Sequence, residues 1–350
     1  MNVDFMRTVD RWAGIPLTFL LTVARKIHHL FKKQAPVPPG RLLFIELSEM
    51  GSTILADPAM KKARDRLAAE LFFVIFKKNR GSLDLLATIR PNHIFTIREG
   101  NLFTLALDTL RFLFWTRQHK IDTVIDLELF SRFTAILSGL CGAVNRVGFY
   151  PFYNEGLYRG ELLTHRVAYN PHIHIAKNFV ALVNSLLATE EELPYSKQVV
   201  SDAEVALPVM GYHETELANM HEMVRRHYPR YERGRHRLVL INPNASELLP
   251  QRRWLPERFV ALMQRILAAD QEVLVLITGA PTEHDEAAAM RGKVGSDRCL
   301  NFAGALQLGQ LPVLYTIAAL MVTNDSGPGH FSSITALPTF VLFGPETPGL

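Results

Sequence analysis

From residue 41 onward, short apolar runs alternate with segments of helical length, and the alternation is played out twice along the chain. That pattern constrains the fold more than any single motif. Apolar runs too short for helices, separated by helix-length periodic stretches, mean βαβ units around a buried parallel sheet. The first series predicts strands over 41–47, 71–76, 93–97, 123–127 and 146–149, with helices over 53–69, 102–118, a stretch ending at 140, and 175–187. A tight turn over 48–52 joins its first strand to its first helix. The second series predicts strands over 238–242, 272–278, 321–323 and 339–343, with helices over 256–269, 311–320 and 329–336. Pro256 suits a first helical position. A polar stretch from 189 and a charged break over 232–237 separate the two series, and the boundary is set between residues 205 and 206. The expected fold is thus α/β, with two Rossmann-like domains over 41–205 and 206–350. A chain of 350 residues is long enough for each to bury its own core. Ligands of open parallel sheets bind outside the carboxyl ends of the strands, so two facing domains predict a cleft between them.

Residues 1–40 stand apart. An apolar run over 12–24 follows Arg7 and Arg11 and precedes Arg25, Lys26, His28, His29, Lys32 and Lys33, and a Pro-rich linker covers 34–40. The run is shorter than the roughly 20 residues that a membrane span requires. A basic helix continuing past it does not fit a cleaved leader. The expected role is an interfacial helix, with apolar side chains in lipid and cations on anionic headgroups. The alternative is a helix packed on the protein's own surface. The net charge of +4 suits anionic partners. No Lys/Arg stripe is interleaved with aromatics, so nucleic acid is not an expected partner. Two well-separated cysteines, Cys141 and Cys299, point to neither a disulfide framework nor a thiolate metal site.

Four loop segments carry chemistry. The strongest is Asn324-Asp325-Ser326-Gly327-Pro328-Gly329-His330, between a strand and an apolar helix. Helix N-termini present N–H groups and a positive dipole end to anions. Ser326 adds a hydroxyl, Gly327 admits close approach of a phosphate, and His330 returns one turn later. Asp325 would repel a phosphate, so it is expected to fix the loop or His330. The second segment places Asn244 and Ser246 after a strand, followed by Arg252 and Arg253, suited to the other side of a diphosphate. The third has Gly279 at a strand end and Glu283 beyond it, an acid placed to accept from ribose hydroxyls. The fourth follows the first strand, where Glu49 is a candidate acid, joined by Glu128 after the strand at 123–127. His172 and His174 share a face only on a strand and are expected to touch an acceptor sugar, not a metal.

These residues resemble a family. Residues 322–345, with Asp325, Ser326, Gly327, His330 and the Phe343-Gly344-Pro345 turn, resemble the signature of glycosyltransferase family 9, the lipopolysaccharide heptosyltransferases. Residues 242–246, 252–259 and 301–304 resemble the same pattern, as do 41–58, 123–127 and 146–149 less specifically. The resemblance implies a GT-B fold and inverting, metal-independent transfer from a nucleotide sugar, typically ADP-heptose, to a lipid-linked glycan. It implies no cofactor beyond that co-substrate. Joined to the interfacial helix of residues 1–40, a lipid-linked acceptor leads to the expectation of a peripheral place at the cytoplasmic face of the inner membrane. The resemblance implies that Arg252, Asp325, Ser326, Gly327 and His330 line the donor diphosphate and that Glu283 meets the nucleoside. In two respects the sequence departs from the pattern. The first loop of the family carries Gly-Asp, with the Asp as general base; here Ser52 follows Gly51, which leaves Glu49 as the expected stand-in and Glu128 next. The family also continues with a loop and helix beyond the position of Leu350, so the second domain is expected without that helix. Two other readings are a catalytically inactive nucleotide-sugar-binding protein and a GT-B nucleotide-sugar epimerase.

Overall fold

The structure is a computed structural model, and it describes residues 3–31, 37–152, 156–190, 192–245 and 250–344. The chain divides into two compact units, one running to Ala206 and the other starting at Leu207.

In the first unit, strands β1 (Arg41–Ile45), β2 (Glu70–Phe76), β3 (Ile94–Ile97), β4 (Thr123–Asp126), β5 (Asn145–Phe149) and β6 (His165–Val167) form one sheet in the order β3-β2-β1-β4-β5-β6. Every pairing is parallel. Leu42, Leu43, Phe44 and Ile45 are all fully buried, because helices cover both faces of the strand. The helices are α1 (Val3–Phe31), α2 (Met50–Leu55), α3 (Asp57–Leu67), α4 (Gly81–Leu86), α5 (Leu102–Gln118), α6 (Arg132–Leu140) and α7 (Ile175–Leu187). The chain steps outward from β1 to β3, then returns to β4 on the other side of β1. Right-handed crossovers therefore put α5 and α6 on the sheet face opposite α3. Phe112 of α5 and Leu137 of α6 share one core cluster with Leu43, Ile45, Val74 and Val124.

Two local expectations are corrected. The helix predicted over 53–69 is two helices broken at Ala56, with Pro58 in the first turn of α3. Proline lacks the N–H that a helix interior needs and is favoured at such a start, where that N–H has no partner within the helix. The turn predicted over 48–52 is also shorter, since α2 already begins at Met50.

α1 lies along α6. Its buried stripe is small and polar: Gly14, Thr18 and Thr22 face inward, and Asp10 pairs with Arg132 Nη1 at 3.1 Å. A Cβ on Gly14 would stand 2.8 Å from that of Arg132, so the contact requires glycine. Thr18 Oγ1 donates to Gly14 O at 2.7 Å, and Thr22 Oγ1 accepts from Glu161 N at 2.9 Å. Trp12, Phe19, Leu20, Leu30 and Phe31 point outward. The usual polarity of a surface helix is reversed.

In the second unit, α8 (Glu214–His227) precedes strands β7 (Arg237–Asn242), β8 (Val273–Ile277), β9 (Cys299–Asn301), β10 (Leu320–Asn324) and β11 (Thr339–Leu342), which form a parallel sheet in the order β11-β10-β7-β8-β9. Helices α9 (Pro256–Ala269), α10 (His284–Val294), α11 (Leu311–Ile317) and α12 (Gly327–Ser332) connect them. Phe259 and Met263 of α9 and Met290 of α10 pack with Val239, Ile241, Val275 and Ile277 in one core. The helix predicted over 311–320 ends at Ile317 because β10 begins at Leu320, and the one predicted over 329–336 starts and stops earlier as α12.

Candidate functional site

The adjacent strands β10, β7 and β8 end on one edge of the second sheet, and the loops that leave them are stapled together. Asn324, the buried last residue of β10, donates from Nδ2 to Pro243 O at 2.7 Å and accepts from Trp254 N at 3.1 Å. One amide thereby fixes the loop after β7 and the segment carrying Arg252. Arg253 donates from Nη2 to Ala245 O at 2.9 Å, tightening the same corner.

Within this frame Arg252 Nε lies 3.3 Å from Asp325 Oδ2, with the carboxylate more buried than the guanidinium. Asp325 was expected to hold the loop or His330; the structure places it against Arg252, where it orients a cation at the strand ends. Gly344 backs this pair: a Cβ there would stand 2.6 Å from Gln251 O and 3.3 Å from Arg252 Cα. Ser326 opens α12 in an extended conformation and does not cap it by its side chain. Its hydroxyl turns inward, donating to Asn324 O at 3.1 Å and meeting Thr323 Oγ1 at 3.2 Å. Among the described residues, a Cβ on Gly327 would meet nothing nearer than Phe331 at 3.9 Å. His330 sits partly exposed in α12.

The loop after β8 forms the other flank. A Cβ on Gly279 would come within 2.8 Å of both Asn244 Nδ2 and Glu283 Oε2, so a hydrogen at this position lets the three residues converge. Asn244 is buried and held by Asn242 Oδ1, which accepts from its N–H at 3.2 Å. Ala280 N donates to Glu283 Oε2 at 2.6 Å. Burial raises the Glu283 carboxyl above its ordinary range, opposed by the Ala280 N–H and by the charge of Arg253. Ser246 falls outside the described residues. Asn244, Arg252, Gly279, Glu283, Asp325, Ser326, Gly327 and His330 therefore all stand on the carboxyl edge of one sheet, the edge where such sheets bind ligands.

The first unit gathers acids at the ends of its neighbouring strands β1 and β4. Glu128 Oε1 accepts from Leu47 N at 3.1 Å, Ser48 N at 3.1 Å and Ser48 Oγ at 2.6 Å, so this carboxylate anchors the loop after β1. Glu49 stands exposed at the N-cap of α2, where Ser52 Oγ donates to its Oε2 at 2.9 Å. Between them lies Glu46, which sequence reasoning passed over. Its Oε1 accepts from Ser48 N at 3.3 Å and Glu49 N at 3.2 Å. Burial, and then the neighbouring Glu128 and Glu49, push the Glu46 carboxyl well above the usual carboxylate range. The one signal for it was an acid inside an apolar strand run. Beneath this group Asp126 is paired with Arg159, whose Nη1 also donates to Glu128 O at 2.5 Å.

The structure does not join the two histidines. They precede α7 in a turn, not a strand; His172 is exposed, and His174 caps the helix by accepting from Ala176 N at 3.3 Å. Among the described residues no group of three or more His, Cys, Asp or Glu is arranged to hold a metal ion.

Two all-parallel α/β units, the second with a polar carboxyl edge of this kind, are the architecture of the GT-B fold. The pattern of glycosyltransferase family 9 (heptosyltransferase) matches residues 116–350, and the chain belongs to that family of enzymes. Lipopolysaccharide heptosyltransferase 2 of Escherichia coli K12 is 27% identical over 106 residues, a stretch that covers 29% of this chain and 30% of that protein. The match thus spans under a third of the curated relative's length. The chain's fold is similar to that of E. coli ADP-heptose lipopolysaccharide heptosyltransferase II, with a TM-score of 0.70 at 18% identity, over 89% of this chain and 86% of that one. It is also similar to E. coli heptosyltransferase WaaC solved with ADP-2-deoxy-2-fluoro heptose, with a TM-score of 0.63 at 15% identity, over 88% and 90%.

Proposed function

We propose that this chain is an inverting glycosyltransferase that moves a heptose or similar sugar from a nucleotide donor, with ADP as the nucleotide, to lipopolysaccharide core or a related lipid-linked glycan. The observation that carries the reading is the convergence of Arg252 with Asp325, and of Asn244 and Glu283 around Gly279, on one strand-end edge. This is a cation on the same edge as a set of polar groups, a chemistry suited to a diphosphate at one flank and a nucleoside at the other. The family's relatives solved with ADP-linked ligands support ADP as the first donor to try.

In this reading Arg252, steadied by Asp325, neutralises the leaving diphosphate, and His330 and the Gly327 turn line the same group. Glu283 accepts from the ribose hydroxyls. The acceptor hydroxyl gives its proton to Glu49 as its oxygen bonds to the anomeric carbon; the bond from that carbon to the diphosphate oxygen breaks and its electron pair leaves with the nucleotide. Glu128 holds the loop that presents Glu49 and serves as a positioning residue. His172, exposed ahead of α7, remains the acceptor-contact candidate. The nucleotide sugar is consumed as co-substrate, with no other cofactor.

The outward-facing apolar side of α1 supports a peripheral place at the cytoplasmic face of the membrane, where a lipid-linked acceptor would be found; none of the described helices is long and apolar enough to cross a bilayer.

Calorimetry with ADP, UDP and GDP tests the donor site. ADP is expected to bind, and Arg252→Ala to weaken it by about 10- to 100-fold, the worth of a charge-assisted hydrogen bond. Binding of none of the three, or binding indifferent to Arg252, would sink the assignment. The inactive-binder reading rests on Ser52 in place of the family's aspartate; it requires donor binding without acceptor-dependent release, and an epimerase would release sugar without any acceptor.

A further inference from the structure

The membrane-facing surface of α1 has an unassigned counterpart on α5. Phe103, Leu110 and Phe114 are 78%, 66% and 73% exposed, and their spacing of seven and four residues places them on one stripe of the helix. Ala106 is exposed on the same stripe. The opposite side of α5 is already satisfied, with Phe112 fully buried in the core of the first unit. Among the described residues, none covers the large apolar side chains on the outer side.

α5 and α1 both pack against the short helix α6. Arg25 of α1 donates to Gly139 O at 3.4 Å, and Arg117 of α5 donates to Leu140 O at 2.7 Å, so both helices converge on the last carbonyls of α6. At the other end of α6, Phe130 is 77% exposed just before the N-cap Ser131. The apolar surfaces of α1, Phe130 and α5 are thus all carried by elements that meet at α6.

We infer that α5 and Phe130 complete a two-helix surface that lies on an anionic lipid bilayer, an inference that rests on the membrane contact proposed for α1. Charge selects lipid as the occupant. The single acid of α5, Asp108, is buried and held by two cations, Arg98 at 2.8 Å and Arg111 at 3.4 Å, and the exposed Arg117 and Lys120 add further positive charge at the end of the helix. On α1, Asp10 is paired with Arg132, and Arg11, His28 and His29 are exposed. Exposed aromatic and aliphatic side chains bordered by cations, with the acids drawn inward, match a headgroup interface and its acyl boundary.

The test is co-sedimentation of the full chain with phosphatidylglycerol/phosphatidylethanolamine vesicles and with neutral phosphatidylcholine vesicles. The wild type is compared with F103Q/L110Q/F114Q on α5 and with W12Q/F19Q on α1. The altered side chains are exposed and glutamine is a good helix former, so folding is expected to survive. The wild type is expected to prefer anionic vesicles, and the α5 variant to lose about tenfold or more in partitioning while α1 is intact. An environment-sensitive dye on Phe114→Cys, with the native Cys141 and Cys299 both buried, is expected to shift to the blue on those vesicles. An α5 variant that binds like the wild type while W12Q/F19Q does not, or an unshifted dye, overturns the role of α5 and leaves the α1 reading standing. A wild type that binds no vesicles removes both. A wild-type dimer in lipid-free solution that the α5 substitutions dissociate would assign the stripe to a second copy of the chain, and also overturns the inference.

Discussion

Ser52 Oγ donates a 2.9 Å hydrogen bond to Glu49 Oε2, so the hydroxyl standing where the family pattern implies an aspartate holds the carboxylate three residues before it. An acid is thereby kept at the loop after β1 by a different residue, and the hydrogen bond fixes its rotamer at the mouth of the first sheet's strand ends.

The first prediction follows from that pair. Glu49→Gln is expected to lower turnover by about 10²- to 10⁴-fold, the worth of a general base, with ADP affinity unchanged. Ser52→Ala should cost about tenfold or less, as loss of one neutral-to-charged hydrogen bond. Adding Ser52→Asp to Glu49→Gln should restore part of the rate by returning a carboxylate to the loop. Steady-state kinetics read the three effects; a Glu49→Gln enzyme as fast as wild type would remove Glu49 from the mechanism.

The second prediction concerns Gly279, where a Cβ would crowd Asn244 Nδ2 and Glu283 Oε2 at 2.8 Å each. Gly279→Ala is expected to weaken ADP binding by about tenfold, because both groups must part to admit a methyl. Both contacts are with side-chain ends, so melting temperature should change little. Calorimetry beside thermal unfolding separates a displaced site from a damaged fold.

The sheets were legible in the sequence because buried parallel strands are written as apolar runs, and α5, α7 and α9 fall where the helical periodicity put them. Strands β6 and β9 escaped because each is only three residues long, too short to show a pattern. α8 escaped because only Met220 and Val224 of its residues are buried, which leaves almost no apolar stripe to read. At the site, loops leaving strand ends could be picked out by position. Their joins could not: the Asn324 bridge to Pro243 and Trp254 spans 81 and 70 residues, and no local spacing announces it. Glu46 looked like part of a strand, and its chemistry arises only once Glu128 arrives from β4.

The third prediction is a stability effect at Glu46. Its folded carboxyl sits well above the ordinary value of 4.5, so the folded state binds this proton more tightly than the unfolded chain. The associated stability is fully present below that ordinary value and is lost as pH rises through the raised one. Glu46→Gln should flatten this part of the pH dependence, so that the variant's melting temperature, relative to wild type, rises from acid to mildly alkaline pH. A constant difference across that range would contradict the assignment.

The fourth concerns Glu283, whose carboxyl burial lifts above its ordinary range. Protonation removes an acceptor for ribose hydroxyls, so ADP affinity is expected to fall on acidification earlier than an unperturbed glutamate would cause. Glu283→Gln should bind more weakly at neutral pH and lack that acid-side fall. Titrations of both proteins over the same pH series, with their difference taken to cancel the phosphate's own ionisation, provide the check.

The most direct measurement is nucleotide release from ADP-heptose by the purified chain, with and without a lipopolysaccharide-core acceptor. The account predicts ADP release that depends on the acceptor, is lost in Arg252→Ala through weakened donor binding, and is lost in Glu49→Gln with binding intact. Donor binding without acceptor-dependent release, or release equal in the presence and absence of acceptor, would contradict transfer as the function of this chain.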